Sequence, residues 1–372
     1  MRPRPRDRTH LTCCILLWDD SKFSLAAVTA KAKELSSDFA IKTEARYLGF
    51  LLGPTSHEHC WDNAGFSFLQ QVRWVRSLGL GLIASIKLYN TYCLPKLLYI
   101  AQCRPISQSV ARFAKHALQI LNAGPYNSIP GAVMCNLQHF GMALQCGRID
   151  VAAKAACYRA VRCTCSVLPL WLSCIDNDRK SDDYITYPPQ RLQDWIDNSF
   201  LFHMDGNATY IDSVVDVGDS WKGTGPLQKA VSKSLRRLST LDFLGPLQKR
   251  LARFCVAGYD TQVVVSNMRL IARMLPQFVS SDVLKFWCNA WCTKRRFGDK
   301  VSHCPFRKAD TDDIFHFVLC PTIRVLRIEI LLGASNDING MQFCCMDAVE
   351  SSELVTQASF LSACEWGTTT SG

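Results

Sequence analysis

The period of the apolar residues changes near Trp61, and that change decides what the chain can fold into. Upstream, apolar residues come in short unbroken runs. Leu11-Thr-Cys-Cys-Ile-Leu-Leu-Trp18 is stopped by Asp19-Asp20 and suits a buried strand. Residues 24–37 are rich in helix formers, with Ser24 placed to cap a helix that runs to about Leu35. Tyr47-Leu-Gly-Phe-Leu-Leu-Gly-Pro54 reads as a second apolar strand, punctuated by Gly49 and ended by Gly53-Pro54. The first 55 residues therefore read strand, helix, strand. From Trp61 the spacing is helical: Phe68, Val72 and Val75 share a face, and Gln70, Arg73 and Arg76 lie elsewhere on the wheel. Leu78-Gly-Leu-Gly-Leu82 breaks that helix. Ile83, Ile86 and Tyr89-Asn90 begin another, which Pro95 kinks or ends. A further helix is expected from Ser107 to Leu121, stopped by Gly124-Pro125, and residues 136–171 continue in helical style. Residues 174–190 and 203–225 are polar and read as loops or linkers. The expected fold class is mainly α with a small N-terminal α/β piece.

Composition narrows the function classes. The 372 residues are 48% apolar and 20% charged, which excludes wholesale disorder and allows about two or three domains. A net charge of +10 suits a polyanionic partner; the alternative is a mildly basic protein without one. The 19 cysteines have no framework spacing and read as reduced thiols of an intracellular protein, nuclear or cytoplasmic and not secreted. The basic Met1–Arg8 followed by Leu11–Trp18 has the outline of a signal peptide, but the apolar run is too short and acids follow at once. No apolar stretch is long enough to span a bilayer, so no membrane partner is expected, and no small-molecule substrate either.

One pentapeptide recurs. Gly225-Pro-Leu-Gln-Lys229 returns as Gly245-Pro-Leu-Gln-Lys249, each opening a helix whose first turn tolerates proline. Leu227, Val231, Leu235 and Leu238 share one face, opposite Lys229, Lys233, Arg236 and Arg237. The second copy sets Leu247, Leu251 and Cys255 against Lys249, Arg250 and Arg253. Such a cationic ridge can track phosphates; the bland reading is a solvated helix surface.

Farther on, Trp287 and Trp291 stand four apart beside Lys294, Arg295 and Arg296. Rings stacking on bases while cations meet phosphates is one reading, and a core stripe is the other. Cys304, His316 and Cys320 follow. His316 and Cys320 are one helical turn apart and could share a metal, with Cys304 a third ligand. Structural zinc wants four ligands, and Arg307 occupies the place of the usual second cysteine, so the zinc site is incomplete. His303 or Cys292 could substitute, though neither is well spaced. The alternative is a former knuckle held by Phe306, Ile314, Phe317 and Val318. Residues after about Gly333 read as a weakly specified tail.

The order of these segments resembles the non-LTR (LINE-type) retrotransposon reverse transcriptases. Tyr47-Leu-Gly-Phe-Leu-Leu-Gly-Pro54, with Trp61 after it, looks like their primer grip. Leu78-Gly-Leu-Gly-Leu82 and Tyr89-Asn-Thr-Tyr-Cys-Leu-Pro-Lys-Leu-Leu-Tyr-Ile-Ala-Gln102 resemble the thumb. Trp287 to Arg296 and the stretch from Cys304 to Cys320 resemble the C-terminal knuckle. The resemblance spans about residues 11–325 and is weakest in the middle. It implies a residual palm edge and primer grip over 1–60 and a thumb over 61–173. A linker-rich stretch at 174–225, basic amphipathic helices at 226–300, a degenerate knuckle at 301–325 and a tail at 326–372 would follow.

The resemblance also bears on Asp19-Asp20. Polymerisation uses two Mg²⁺ ions held by a carboxylate on one palm strand and an aspartate pair on a later hairpin. The family's pair follows an aromatic or small residue, and a helix and a Gly-Leu-Lys-type segment then precede the primer grip. Here Asp20 is only 27 positions before Tyr47, no such segment intervenes, and only Asp7 lies upstream as a partner. Leu16-Leu-Trp18 instead occupies the place of the family's strand just before the primer grip. Asp19 and Asp20 are therefore expected to be a loop and not catalytic, and Mg²⁺ would matter only with a polymerase core. The expected function is a catalytically inactive, nucleic-acid-binding portion that takes RNA or an RNA–DNA hybrid. The resemblance places Tyr47, Leu48 and Gly49 by the primer backbone and Arg73, Arg76 and Lys87 on the duplex. The alternative is a helical interaction scaffold without nucleic-acid affinity.

Overall fold

A computed structural model describes residues 13–15, 30, 34, 40–42, 45–47, 50–52, 59–102, 106–122, 128–160, 227–238, 241–252, 259–291, 314–330, 340–347 and 350–370. The chain divides into two units, Met1–Ser67 and Phe68–Gly372. The described residues are mainly helical.

In the first unit, β1 (Cys13–Ile15) pairs in parallel with β2 (Ala40–Lys42), Cys13 opposite Ala40 and Ile15 opposite Lys42. Parallel neighbours need a long crossover, and Ala30 and Glu34, the described positions between them, are helical and exposed. The parallel partner of the first strand is therefore Ala40–Lys42 and not the expected segment from Tyr47. The segment expected as a single strand from Tyr47 is divided instead. β3 (Ala45–Tyr47) pairs antiparallel with β4 (Phe50–Leu52), Tyr47 opposite Phe50.

The second unit is helical. In α1 (Asp62–Ser77), Phe68, Val72 and Val75 are fully buried, as the spacing predicts. The helix stops at Gly79, whose φ of +63° is costly for any residue with a Cβ. α2 (Leu82–Leu88) runs into a widened π turn (Tyr89–Cys93) and then α3 (Leu94–Ala101). The Leu94 N–H reaches back five residues to the Tyr89 carbonyl. Pro95 has no N–H and crowds the carbonyl four residues behind it, so the widened turn before it is where the helix absorbs the mismatch. Asn90 in that turn clamps a distant loop: its Nδ2 donates to the Gln145 carbonyl and its Oδ1 accepts from the Gly147 N–H, both at 2.8 Å. A Cβ at Gly147 would stand 2.5 Å from Leu94 Cδ2, so the loop approaches this closely because the residue is glycine.

The helices continue as α4 (Gln108–Leu121), capped by the Ser107 hydroxyl accepting from the Val110 N–H; α5 (Gly131–Met134); and α6, residues 149–160. Then come α7 (Leu227–Leu238), α8 (Leu244–Leu251), α9 (Thr261–Met274), α10 (Gln277–Trp287), α11 (Ile314–Leu319), α12 (Pro321–Ile330), α13 (Gly340–Phe343) and α14 (Ser351–Thr370).

α10 lies at the centre of this unit and packs on α9, α14 and α2. Its Trp287 is fully buried and donates from Nε1 to the Cys344 carbonyl at 2.8 Å. Trp291 is also buried, donates to the Asp282 carbonyl, and stands edge-on to Phe286 and Phe317 with centroids 4.9 and 5.0 Å away. The two tryptophans are a core stripe and not a stacking platform.

The stretch expected as a tail also belongs to the core. Phe343, Cys344, Cys345 and Met346 are buried, and so are Leu354, Ala358, Phe360 and Leu361 of α14. α14 shows no apolar stripe in sequence because several of its buried positions are polar. Gln357 accepts from Arg327 Nε at 3.1 Å, and the Ser362 hydroxyl donates to Asp282 Oδ2 at 2.7 Å. Glu365 accepts from Lys285 Nζ at 3.0 Å. These partners lie 30 to 80 positions away, beyond the reach of any local pattern.

Candidate nucleic-acid interface

A surface that binds a nucleic acid needs cations for phosphates and, for unpaired bases, rings free to stack. α1 offers both. Burying Phe68, Val72 and Val75 turns Arg73, Trp74 and Arg76 outward, and Trp74 is 48% exposed. Beyond it, Tyr92 and Tyr99 are 55% and 43% exposed, with half-buried Lys96 between them at positions i, i+4 and i+7. The opposite side of the same segment buries Tyr89, Cys93, Leu97 and Ile100. Lys87 is exposed as well, but it stands at the mouth of a separate cleft lined by α2, α10 and α14.

α7 separates its faces largely as the wheel predicts. Leu227, Val231 and Leu235 are buried, and Lys229, Lys233 and Arg237 are exposed. Arg236 departs from the ridge. It is half-buried near Cys135 and Arg148, because a second surface packs over that side of the helix. Burial is the largest cause holding its guanidinium below the ordinary pKa; Cys135 opposes the shift and Arg148 adds to it. In α8 Leu247 and Leu251 are buried, Lys249 is exposed, and Arg250 is half-buried near Cys288. The ridge thus keeps three of the four cations in the first copy, and Arg250 leaves it in the second. The second copy begins as expected: α8 carries Gly245-Pro246 in its first turn, with the Gly245 N–H donating to Asp242 Oδ1 at 3.0 Å.

Tyr47 closes β3 opposite Phe50. Leu48, Gly49, Asp19, Asp20, Arg253, Lys294, Arg295, Arg296 and Cys304 lie outside the described residues. His316 is half-buried within α11, and Cys320 is fully buried at the joint between α11 and α12. They can supply at most two of the four ligands structural zinc requires. Among the described residues no group of three or more His, Cys, Asp or Glu is arranged to hold a metal ion.

The buried thiols are poor nucleophiles. Burial pushes Cys93 and Cys135 up to about 11, and Cys288 and Cys364 up to about 12, so all four are protonated near neutral pH. Among the described residues no helix is long and apolar enough to cross a membrane.

Sequence reasoning missed the exposed rings Trp74, Tyr92 and Tyr99. The signal was there: Trp74 falls on the polar side of the α1 wheel between two arginines, and Tyr92, Lys96 and Tyr99 repeat at helical spacing. It also missed the charge cluster of buried Asp282 with half-buried Lys285 and Glu365. Compared with known proteins, the chain matches no family model, no curated protein and no solved structure.

Proposed function

We propose that this chain binds RNA or an RNA–DNA hybrid without catalysing its synthesis, as a portion of a non-LTR retrotransposon reverse transcriptase would. On this reading residues 61–173 act as a thumb, and the strand pairs with Tyr47 are a palm edge against the primer. Asp19 and Asp20 hold no catalytic metal. The observation that carries the proposal is the exposed Trp74 between exposed Arg73 and Arg76. The arginines supply charge for phosphates, and the tryptophan beside them offers a ring on which an unpaired base can stack. Lys229, Lys233, Arg237 and Lys249 add cations on helices whose other faces are buried, and the net charge of +10 has the matching sign.

The test is binding of the purified chain to a labelled RNA–DNA hybrid across a salt series, with primer extension in Mg²⁺ alongside. The expected result is binding that weakens steeply with salt, by a factor that grows with the number of phosphates neutralised, and no extension. Binding that vanishes at low salt would sink the proposal in favour of an interaction scaffold. Extension abolished by Asp19→Asn would overturn the non-catalytic part.

A further inference from the structure

Between α2, α10 and α14 lies a cleft of about 660 Å³ that the nucleic-acid reading does not use. Its walls are apolar, with Leu82, Ile83, Leu144 and Phe278, while its floor carries charge. Lys285 Nζ donates to Asp282 Oδ1 and to Glu365 Oε1, both at 3.0 Å. These side chains are only 16%, 6% and 13% exposed. Ser281 lines the same cleft and is 3% exposed, and its hydroxyl has no hydrogen-bond partner among the described residues.

This floor holds two carboxylates against one ammonium. Lys87 at the mouth is exposed and screened by water, so it offsets little of the imbalance. The molecule meets the imbalance by keeping a proton. Burial raises Glu365 to about 8; Lys285 opposes the shift, and Asp282 adds to it. A positive group entering the cleft could take over the role of that proton, and its N–H could donate to the buried Ser281 oxygen, which otherwise carries the cost of an unmade hydrogen bond. An anion is disfavoured, because both Asp282 and Glu365 face it and Lys285 is already shared between them. The apolar walls call for a body such as a ring or short hydrocarbon chain.

We propose that this cleft binds a small organic cation, an ammonium or amidinium on an apolar body, with Glu365 and Asp282 as counter-ions and Ser281 as acceptor. The inference departs from the expectation of no small-molecule ligand and is independent of the nucleic-acid reading. Binding displaces one proton from Glu365 to the buffer, so charge and protons balance.

The experiment is calorimetric titration of the full chain at neutral pH with benzylamine, phenylacetate and benzyl alcohol as probes. It is repeated in two buffers of different ionisation enthalpy. Benzylamine should saturate, the other two should bind at least about tenfold more weakly, and only benzylamine should release a proton. Glu365→Gln, which keeps the shape and removes the charge, should weaken benzylamine by about tenfold or more and abolish the proton release. Phenylacetate binding as tightly as benzylamine would overturn the proposal. So would benzylamine binding without proton release, or no saturation by about 10 mM. The wild-type proton count carries the test even if the variant folds poorly.

Discussion

Glu365→Gln also has a consequence for stability, with a definite sign. In the folded chain Glu365 is 13% exposed and shares Lys285 with Asp282. Its carboxyl is raised from 4.5 to about 8, first by burial and then by Asp282, against the pull of Lys285. In the unfolded chain the same group ionises near its ordinary value. Between pH 4.5 and about 8 the folded state therefore holds a proton that the unfolded state has lost. By linkage, this group's contribution is fully present below 4.5 and falls as pH rises towards 8. The slope is at most about 1.4 kcal/mol per pH unit, or on the order of 4 to 5 kcal/mol over the whole window. Glutamine is neutral throughout and has no such slope. Urea unfolding of both proteins across this range, plotted as the stability difference, cancels the titrations of groups remote from Glu365. The two should be close at the acid end, and the variant should become the more stable as pH rises. A difference that stays flat, or that favours the wild type at the alkaline end, would refute the claim that Glu365 is protonated in the folded cleft.

Three further outcomes follow from the geometry. Trp74→Ala should weaken binding of a labelled single-stranded RNA by about 1–3 kcal/mol while leaving urea stability within about 0.5 kcal/mol, since the ring is half exposed. Replacing Lys229, Lys233 and Arg237 together with glutamine should reduce the slope of log affinity against log salt by about two to three. Arg236→Gln should leave that slope unchanged and lower stability instead, because Arg236 is packed and not on the ridge; equal slopes for the two variants would contradict the assignment of faces. Gly147→Ala sets a methyl 2.5 Å from Leu94 Cδ2 and 3.1 Å from Asn90 Oδ1. It should cost about 1–3 kcal/mol in thermal or urea unfolding; an unchanged midpoint would mean the loop is not clamped at Asn90.

Period carried much of the fold from sequence alone. The turn of pattern at Trp61, the buried faces of α1 and α7, the break at Leu78–Leu82 and the start of α4 near Ser107 were all legible. Each depends on residues within about two turns of one another, the range over which helical spacing and capping act. The outward cations Arg73, Arg76, Lys229 and Lys233 were legible for the same reason. What the sequence could not decide was pairing at a distance. It ran Tyr47 to Leu52 together as one strand, because the pairing of Tyr47 with Phe50 is a hydrogen-bonding fact and not a hydropathy one. It placed Arg236 with the ridge because a wheel knows nothing of the surface that packs against it. It left α14 as a tail because burial there is bought with polar partners, Gln357 to Arg327, Ser362 to Asp282 and Glu365 to Lys285. A local pattern sees three polar residues in such a helix. Only the tertiary structure brings their partners within 3.1 Å and lets that face of the helix pack inward.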